Sequence, residues 1–305
     1  MWSITSYYNP VRYKRRLQNY MTFRENLKMP LVTVELSFDG EFELKRNDAD
    51  VLVQISGGAI VWQKERLLNI AIKSVPREER SIAWIDCDVL FDRHNWMNEA
   101  ETQLAAVSVV QLYSDVVDLN PADRKPNHDN RIAPRSAEGF VSAVNEKHLD
   151  VKSLIGRGKN AGGLSMGLAW AARREILEDH GLYEAMVIGS GDRLTVGTMY
   201  GEFQKIIEVF DFNQARQKHY LRWAQPFYEA VGGRVGYVSG RIYHLWHGES
   251  ANRKSVERHR SLASLAFDPE ADLVVAPNGA WQWARSRPDL EEFFINYFKG
   301  RAEDG

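Results

Sequence analysis

The chain has 305 residues, of which 44% are hydrophobic and 26% charged, with a formal net charge of -2 and a pI near 6.5. This length gives one large α/β domain or two small ones, and the composition excludes disorder and fibrous repeats. The charge lacks the basic field that nucleic acid needs, the single Cys87 excludes a disulfide framework, and no window approaches the ~20 apolar residues of a membrane span.

A cytoplasmic, soluble protein is therefore expected, with no secretory leader, no membrane span and no nucleic-acid partner. In chain order, Ser3 to Tyr8 predicts a first strand, and Asn9-Pro10 predicts a helix start with Asn as N-cap. The basic run Lys14-Arg15-Arg16 in that helix is expected on a solvated face. Leu31 to Phe38 alternates as a half-buried strand, Val51 to Ile55 is a third strand, and Trp62 to Ser74 is a helix. Ile82 to Ile85 is an apolar run leading into Asp86; a helix near Asn95 to Ala106 and a strand over Val107 to Tyr113 follow.

The alternation of strand and helix predicts a mostly parallel, Rossmann-like central sheet with helices on both faces. Residues 114–168 show no clear period. Beyond them, Ala169 to Asp179 predicts a helix ended by His180-Gly181, and Asn213 caps another that stops at Gly232-Gly233. Short strands are expected over Val235–Val238 and Ile242–His247, and the Leu290, Phe293, Phe294, Tyr297, Phe298 stripe marks a last packed helix.

Two Asp-x-Asp pairs occur. Asp48-Ala49-Asp50 follows Lys45-Arg46-Asn47 and reads as a solvated turn, whereas Asp86 and Asp88 terminate an apolar strand. In extended chain, residues two apart share a side, so both carboxylates can face one ion while Cys87 turns to the core. Hard oxygen ligands suit Mg²⁺ or Mn²⁺, which can neutralise a departing diphosphate. Ligands on parallel sheets bind at the carboxyl ends of the strands, where this pair lies.

The segment Trp62-Gln63-Lys64-Glu65-Arg66-Leu67-Leu68-Asn69 resembles the Phe-Asn-Arg-Ala-Lys-Leu-Leu-Asn segment of β-1,4-galactosyltransferases, which there also precedes a strand ending in Asp-Val-Asp. Gly167 to Leu182 is similar to that family's Gly-Gly-Val-Ser, helix, Asn-Gly-Phe element, and Gly189-Ser190-Gly191-Asp192 to its Trp-Gly-Gly-Glu-Asp motif. The resemblance covers residues 1–250 patchily and implies a GT-A fold, a UDP-sugar donor and Mn²⁺ (or Mg²⁺). It divides the chain into a catalytic domain over 1–250, with a nucleotide-sugar half at 1–115 and an acceptor half at 116–250, and a C-terminal extension at 251–305 packed on it.

The resemblance also implies site residues. Asp86 and Asp88 would carry the metal, with Asp86 also touching the nucleotide sugar; Lys64 would help hold the donor; and Tyr8, Asn9 and Arg12 occupy the place of a nucleotide-contacting loop. Asp192 would be the general base of an inverting transfer, although the family's second carboxylate is missing and Arg193 follows. A capping role for Asp192 is the other reading.

In His244-Leu245-Trp246-His247-Gly248, residues three apart on a strand face opposite sides, so one histidine is expected at the metal: His247, or else His244. Arg253, Arg258 and Arg260 suit a diphosphate or a solvated helix, and Trp170, Trp246 and Trp281 suit sugar stacking or packing.

The expected activity is thus metal-dependent transfer of a hexose from a UDP-sugar to a glycan or other hydroxyl acceptor. A nucleotidyltransferase and a non-catalytic carbohydrate-binding pseudo-enzyme are the alternatives.

Overall fold

The computed structural model describes residues 1–125, 135–156 and 163–305. The first half runs β1 (Trp2–Tyr8), α1 (Lys14–Asn26), β2 (Leu31–Ser37), β3 (Val51–Ser56), α2 (Lys64–Ile72), β4 (Ser81–Ile85), β5 (Val89–Phe91), α3 (Trp96–Ala106), β6 (Val109–Gln111) and β7 (Asp115–Asp118). Then come β8 (Arg135–Glu138), α4 (Phe140–Lys147), α5 (Val151–Leu154), β9 (Ala169–Arg173), α6 (Arg174–His180), α7 (Gly191–Met199), α8 (Phe203–Val209) and α9 (Gln214–Val231). The chain ends with β10 (Val235–Tyr237), β11 (Arg241–His244), α10 (Glu257–Ser264), α11 (Pro269–Asp272), β12 (Leu273–Val275), β13 (Trp281–Trp283) and α12 (Pro288–Gly300).

Seven strands form the central sheet in the order β10-β6-β9-β4-β1-β2-β3. Neighbours pair in parallel except around β9, which runs antiparallel to both β4 and β6. Successive residues of a strand point to opposite faces, and here both faces are covered. Ile82, Trp84, Trp170 and Ala172 pack into one hydrophobic core, while Ala83, Ile85, Ala169 and Ala171 pack into a second. Burial on both sides explains why Ser81–Ile85 reads as a continuous run rather than an alternation.

A second sheet, β5-β11-β7-β8, stands beside the end of β4, and β12 and β13 form a separate hairpin. Residues of the last segment, Leu262, Phe267, Leu290 and Phe294, belong to the same core as the central sheet.

The structure corrects three local expectations. Ala169 to Asp179 is not one helix: Ala169–Arg173 is strand β9, and only Arg174–His180 is helical. Ladders to β4 and β6 on both sides, and a Trp84–Trp170 stack at 6.2 Å, override the helix preference of its alanines.

Asn9 does not cap α1. Its Oδ1 accepts from Tyr13 N at 2.9 Å, Arg12 sits in the left-handed region at φ 59, and the helix begins only at Lys14. The run Lys14-Arg15-Arg16 is not wholly solvated either, because Arg16 turns inward and donates to Tyr8 O and to Glu303. The stretch without period, 114–168, holds β7, β8, α4 and α5 in its described part.

Candidate functional site

The carboxyl end of β4 opens on a cavity of about 950 Å³. Strand β4 stops at Ile85, so 86–88 is a turn: Asp86 N donates to Leu168 O at 2.8 Å, and Val89 N donates back to Asp86 O. A turn does not keep the side-by-side geometry of a strand, and the two carboxylates part. Asp86 Oδ1 meets Lys64 Nζ at 2.6 Å. Asp88 Oδ2 lies 3.7 Å from His244 Nε2 and 3.6 Å from His247 Nε2. Cys87, between them, is half-buried and packs beside the Tyr7–Tyr20 cluster.

Both histidines therefore face Asp88, against the expectation of one. Strand β11 ends at His244, and the chain then turns, with Leu245 N tied to Asp88 O at 2.8 Å. His247 lies beyond the strand and swings round to the same side. Ligand atoms of Asp88, His244 and His247 lie within 4.8 Å of one another, a group that does not include Asp86. Asp88 Oδ1 is buried without a hydrogen-bond partner among the described residues. An orphaned buried carboxylate oxygen beside two imidazole nitrogens is a donor set that fits a divalent metal ion.

The electrostatics split the two histidines. Burial works against charge on His244, but Asp88 and Asp118 outweigh it and lift its pKa to about 9. Asp118 Oδ1 sits 2.9 Å from His244 Nδ1. Burial, then Arg253, His244 and Arg301, hold His247 well below the usual histidine range, so its ring is neutral. On Asp88, burial raises the pKa, yet His244 and Arg253 bring the net shift down.

Across the cavity, Lys64 at the first residue of α2 bridges two carboxylates. Its Nζ is 2.6 Å from Asp86 and 3.1 Å from both oxygens of Asp192. Burial opposes the ammonium, but Asp192 and Asp86 raise its pKa well above the ordinary lysine value. Burial also pushes Asp86 up to about 6, with Lys64 pulling down and Asp192 and Asp88 pushing up. Asp192 is the second residue of α7, whose N-cap is Ser190, in the left-handed region at φ 74.

The third wall is basic and comes largely from residues 253–301. Arg253, Arg258 and Arg301 line the cavity together with Arg16, Tyr8 and Trp62. Arg16 and Arg301 share the buried Glu303, at 2.6 and 2.5 Å. The Nε atoms of Arg253 and Arg258 are buried without hydrogen-bond partners among the described residues. His247 Nε2 is 3.0 Å from Arg253 Nη2.

Of the residues singled out from sequence, the structure brings Tyr8, Lys64, Asp86, Asp88, Asp192, His244 and His247 onto this one cavity. It does not bring Asn9 or Arg12 there. Asn9 is held by Tyr13 and Glu43, and Arg12 pairs with Asp39 at 2.5 Å beside a smaller surface depression. Arg260 is exposed, and Trp170 is core. Asp115, at the start of β7, is exposed and bonds Ser114. Sequence reasoning missed Arg16, Arg301, Glu303 and the role of Asp118 beside His244. The only signal for Asp118 was its place in the acid-rich stretch after β6.

No family model matches the chain, and no curated protein matches it. Among solved structures, it is similar to 4-diphosphocytidyl-2C-methyl-D-erythritol synthase from Anaerococcus prevotii DSM 20548, at 8% identity over 78% of this chain and 87% of that one, with a TM-score of 0.35. It is also similar to the galactosyltransferase LgtC in complex with donor and acceptor sugar analogs, at 10% identity over 87% of this chain and 95% of that one, with a TM-score of 0.35. Likenesses of this size decide neither family nor activity.

Proposed function

We propose that the chain is a metal-assisted glycosyltransferase of the GT-A type, taking a hexose from a UDP-sugar to a hydroxyl acceptor such as a glycan. The observation that carries this reading is the convergence of Asp88, His244 and His247 at one strand end, facing a Lys64–Asp192 pair and a basic wall across a single cavity. In this reading residues 1–115 hold the nucleotide sugar, 116–250 shape the acceptor side, and 251–305 supply arginines to the same site.

Asp88, His244 and His247 would hold the divalent ion, and Asp118 would fix the His244 ring so that Nε2 faces it. The bound ion would supply charge neutralisation for the departing diphosphate. Arg253 and Arg258 carry buried Nε donors without a partner among the described residues, and such donors suit phosphate oxygens. Lys64 holds the Asp192 carboxylate in place through its ammonium, and Asp192 takes the proton of the acceptor hydroxyl. Inversion at the sugar carbon rests on the resemblance of the 189–192 segment.

Calorimetry of UDP with and without Mn²⁺ tests the reading. Binding that tightens with Mn²⁺ in the parent, and not in Asp88→Asn, supports it. UDP affinity indifferent to Mn²⁺ sinks it.

A further inference from the structure

The turn leading into α7 is held at three successive residues. Arg258 Nη2 donates to Ser190 Oγ at 2.6 Å, and His259 Nε2 lies 3.1 Å from the same oxygen. Asp192 receives Lys64 Nζ on one side; on the other, a Cβ added to Gly167 would come 2.9 Å from Asp192 Oδ2. Gly191, between them, has no side chain, and the room one would need is taken. A Cβ there would overlap Glu65 Oε1 and lie 2.5 Å from Glu65 Cδ.

Glu65 is 4% exposed, and its Oε2 is buried without a hydrogen-bond partner among the described residues. Burying a polar group unpaired costs free energy, and an apolar side chain would fill the space without that cost. The carboxyl group therefore calls for a reason beyond filling. Lys64 and Glu65 are consecutive on α2, as Gly191 and Asp192 are on α7. One pair meets the other: ammonium on carboxylate, carboxyl on glycine backbone.

We propose that Glu65 is a positioning residue for Asp192: its carboxyl group stands in for a side chain at position 191 and, with Lys64, forms the seat on which α7 presents Asp192 to the cavity. This deepens the reading of Asp192 as general base and rests on it for the rate effects. Burial pushes Glu65 up to about 8, against the pull of Lys64 and with a further push from Asp192. A neutral carboxyl group at neutral pH leaves the Lys64 ammonium to Asp86 and Asp192.

The test is a double-mutant cycle read first by stability, which needs no substrate. Gly191→Ala alone should lower Tm by several degrees, because the new methyl overlaps Glu65. In a Glu65→Ala background, the same change should be neutral or stabilising, since alanine is the better helix former. No such sign reversal overturns the proposal.

The second readout is Mn²⁺-dependent UDP release from UDP-galactose and UDP-glucose. Glu65→Ala should lower kcat roughly 10²-fold by misplacing Asp192, with UDP affinity unchanged, and Glu65→Gln should recover most of it. Full activity in Glu65→Ala overturns the positioning role even if the stability coupling holds. Sign reversal in a parent that turns over neither sugar nucleotide supports the seat and defeats the transferase reading instead.

Discussion

The consequence of a turn at 86–88 is that two aspartates of one motif do different work. Asp88 shares its surroundings with two imidazoles, and Asp86 with an ammonium. Asp88→Asn should therefore abolish Mn²⁺ binding, whereas Asp86→Asn should leave most of it, as measured by calorimetry with the ion alone. His244→Ala and His247→Ala should weaken binding alike, and equal loss from Asp86→Asn and Asp88→Asn would overturn this division. Asp118→Asn should cost about 10–100-fold in Mn²⁺ affinity, the usual effect of losing the group that orients a ligating histidine. Asp192→Asn should lower turnover by about 10²–10⁴-fold while sparing donor affinity. Asp192 is the second residue of α7 and not its N-cap, so the capping reading does not hold, and unchanged turnover in that variant would remove Asp192 as the base.

At the scale of elements, most assignments follow from pattern, and the failures share a cause. The 95–106 and 213–231 helices and the first three strands lie close to where periodicity and capping residues place them. Strand β9 was misread because its Ala-Trp-Ala-Ala run is compatible with either state until neighbours on both sides are known. The start of α1 was misread because its cap is not local: Asp304 accepts from Lys14 N at 3.2 Å and Arg15 N at 2.8 Å, across almost the whole chain. Asp304→Ala should thus destabilise the fold by about 1 kcal/mol, a typical value for a lost N-cap, visible as a lower denaturant midpoint at unchanged m. A midpoint equal to that of the parent would show the cap to be ornamental.

For the whole molecule, the buried carboxylate of Glu303 ties residues far apart in sequence together at the cavity wall. Glu303 is 1% exposed and is gripped by Arg16 and Arg301. Burial raises its pKa, but the two guanidiniums bring it to about 2 from an ordinary 4.5. A depressed folded pKa stabilises fully above the ordinary value and is lost as pH falls through about 2. Between those limits the fold should lose on the order of 3 kcal/mol from this group. Glu303→Gln should flatten that part of the acid limb in thermal melts, and an unchanged acid limb would show that the ion group contributes nothing to folding.

Sequence by itself determined the α/β sheet with covered faces, the contrast between Asp86-Cys87-Asp88 and Asp48-Ala49-Asp50, and the candidacy of the histidines, while Lys64 and Asp192 entered through the resemblance. These are legible because local period, a strand end and residue chemistry are written in short windows. Asp48 indeed bonds its own turn at Lys45 N, and Asp50 meets Arg24 at the surface. Only the tertiary structure decided which carboxylate meets which cation, that both histidines share a side, and that Arg16, Arg301 and Glu303 join the site from opposite ends of the chain. It also decided that Glu65 occupies the space of residue 191. Each of these depends on where a chain turns or on contacts between segments far apart in sequence, and neither is encoded in the period of any one segment.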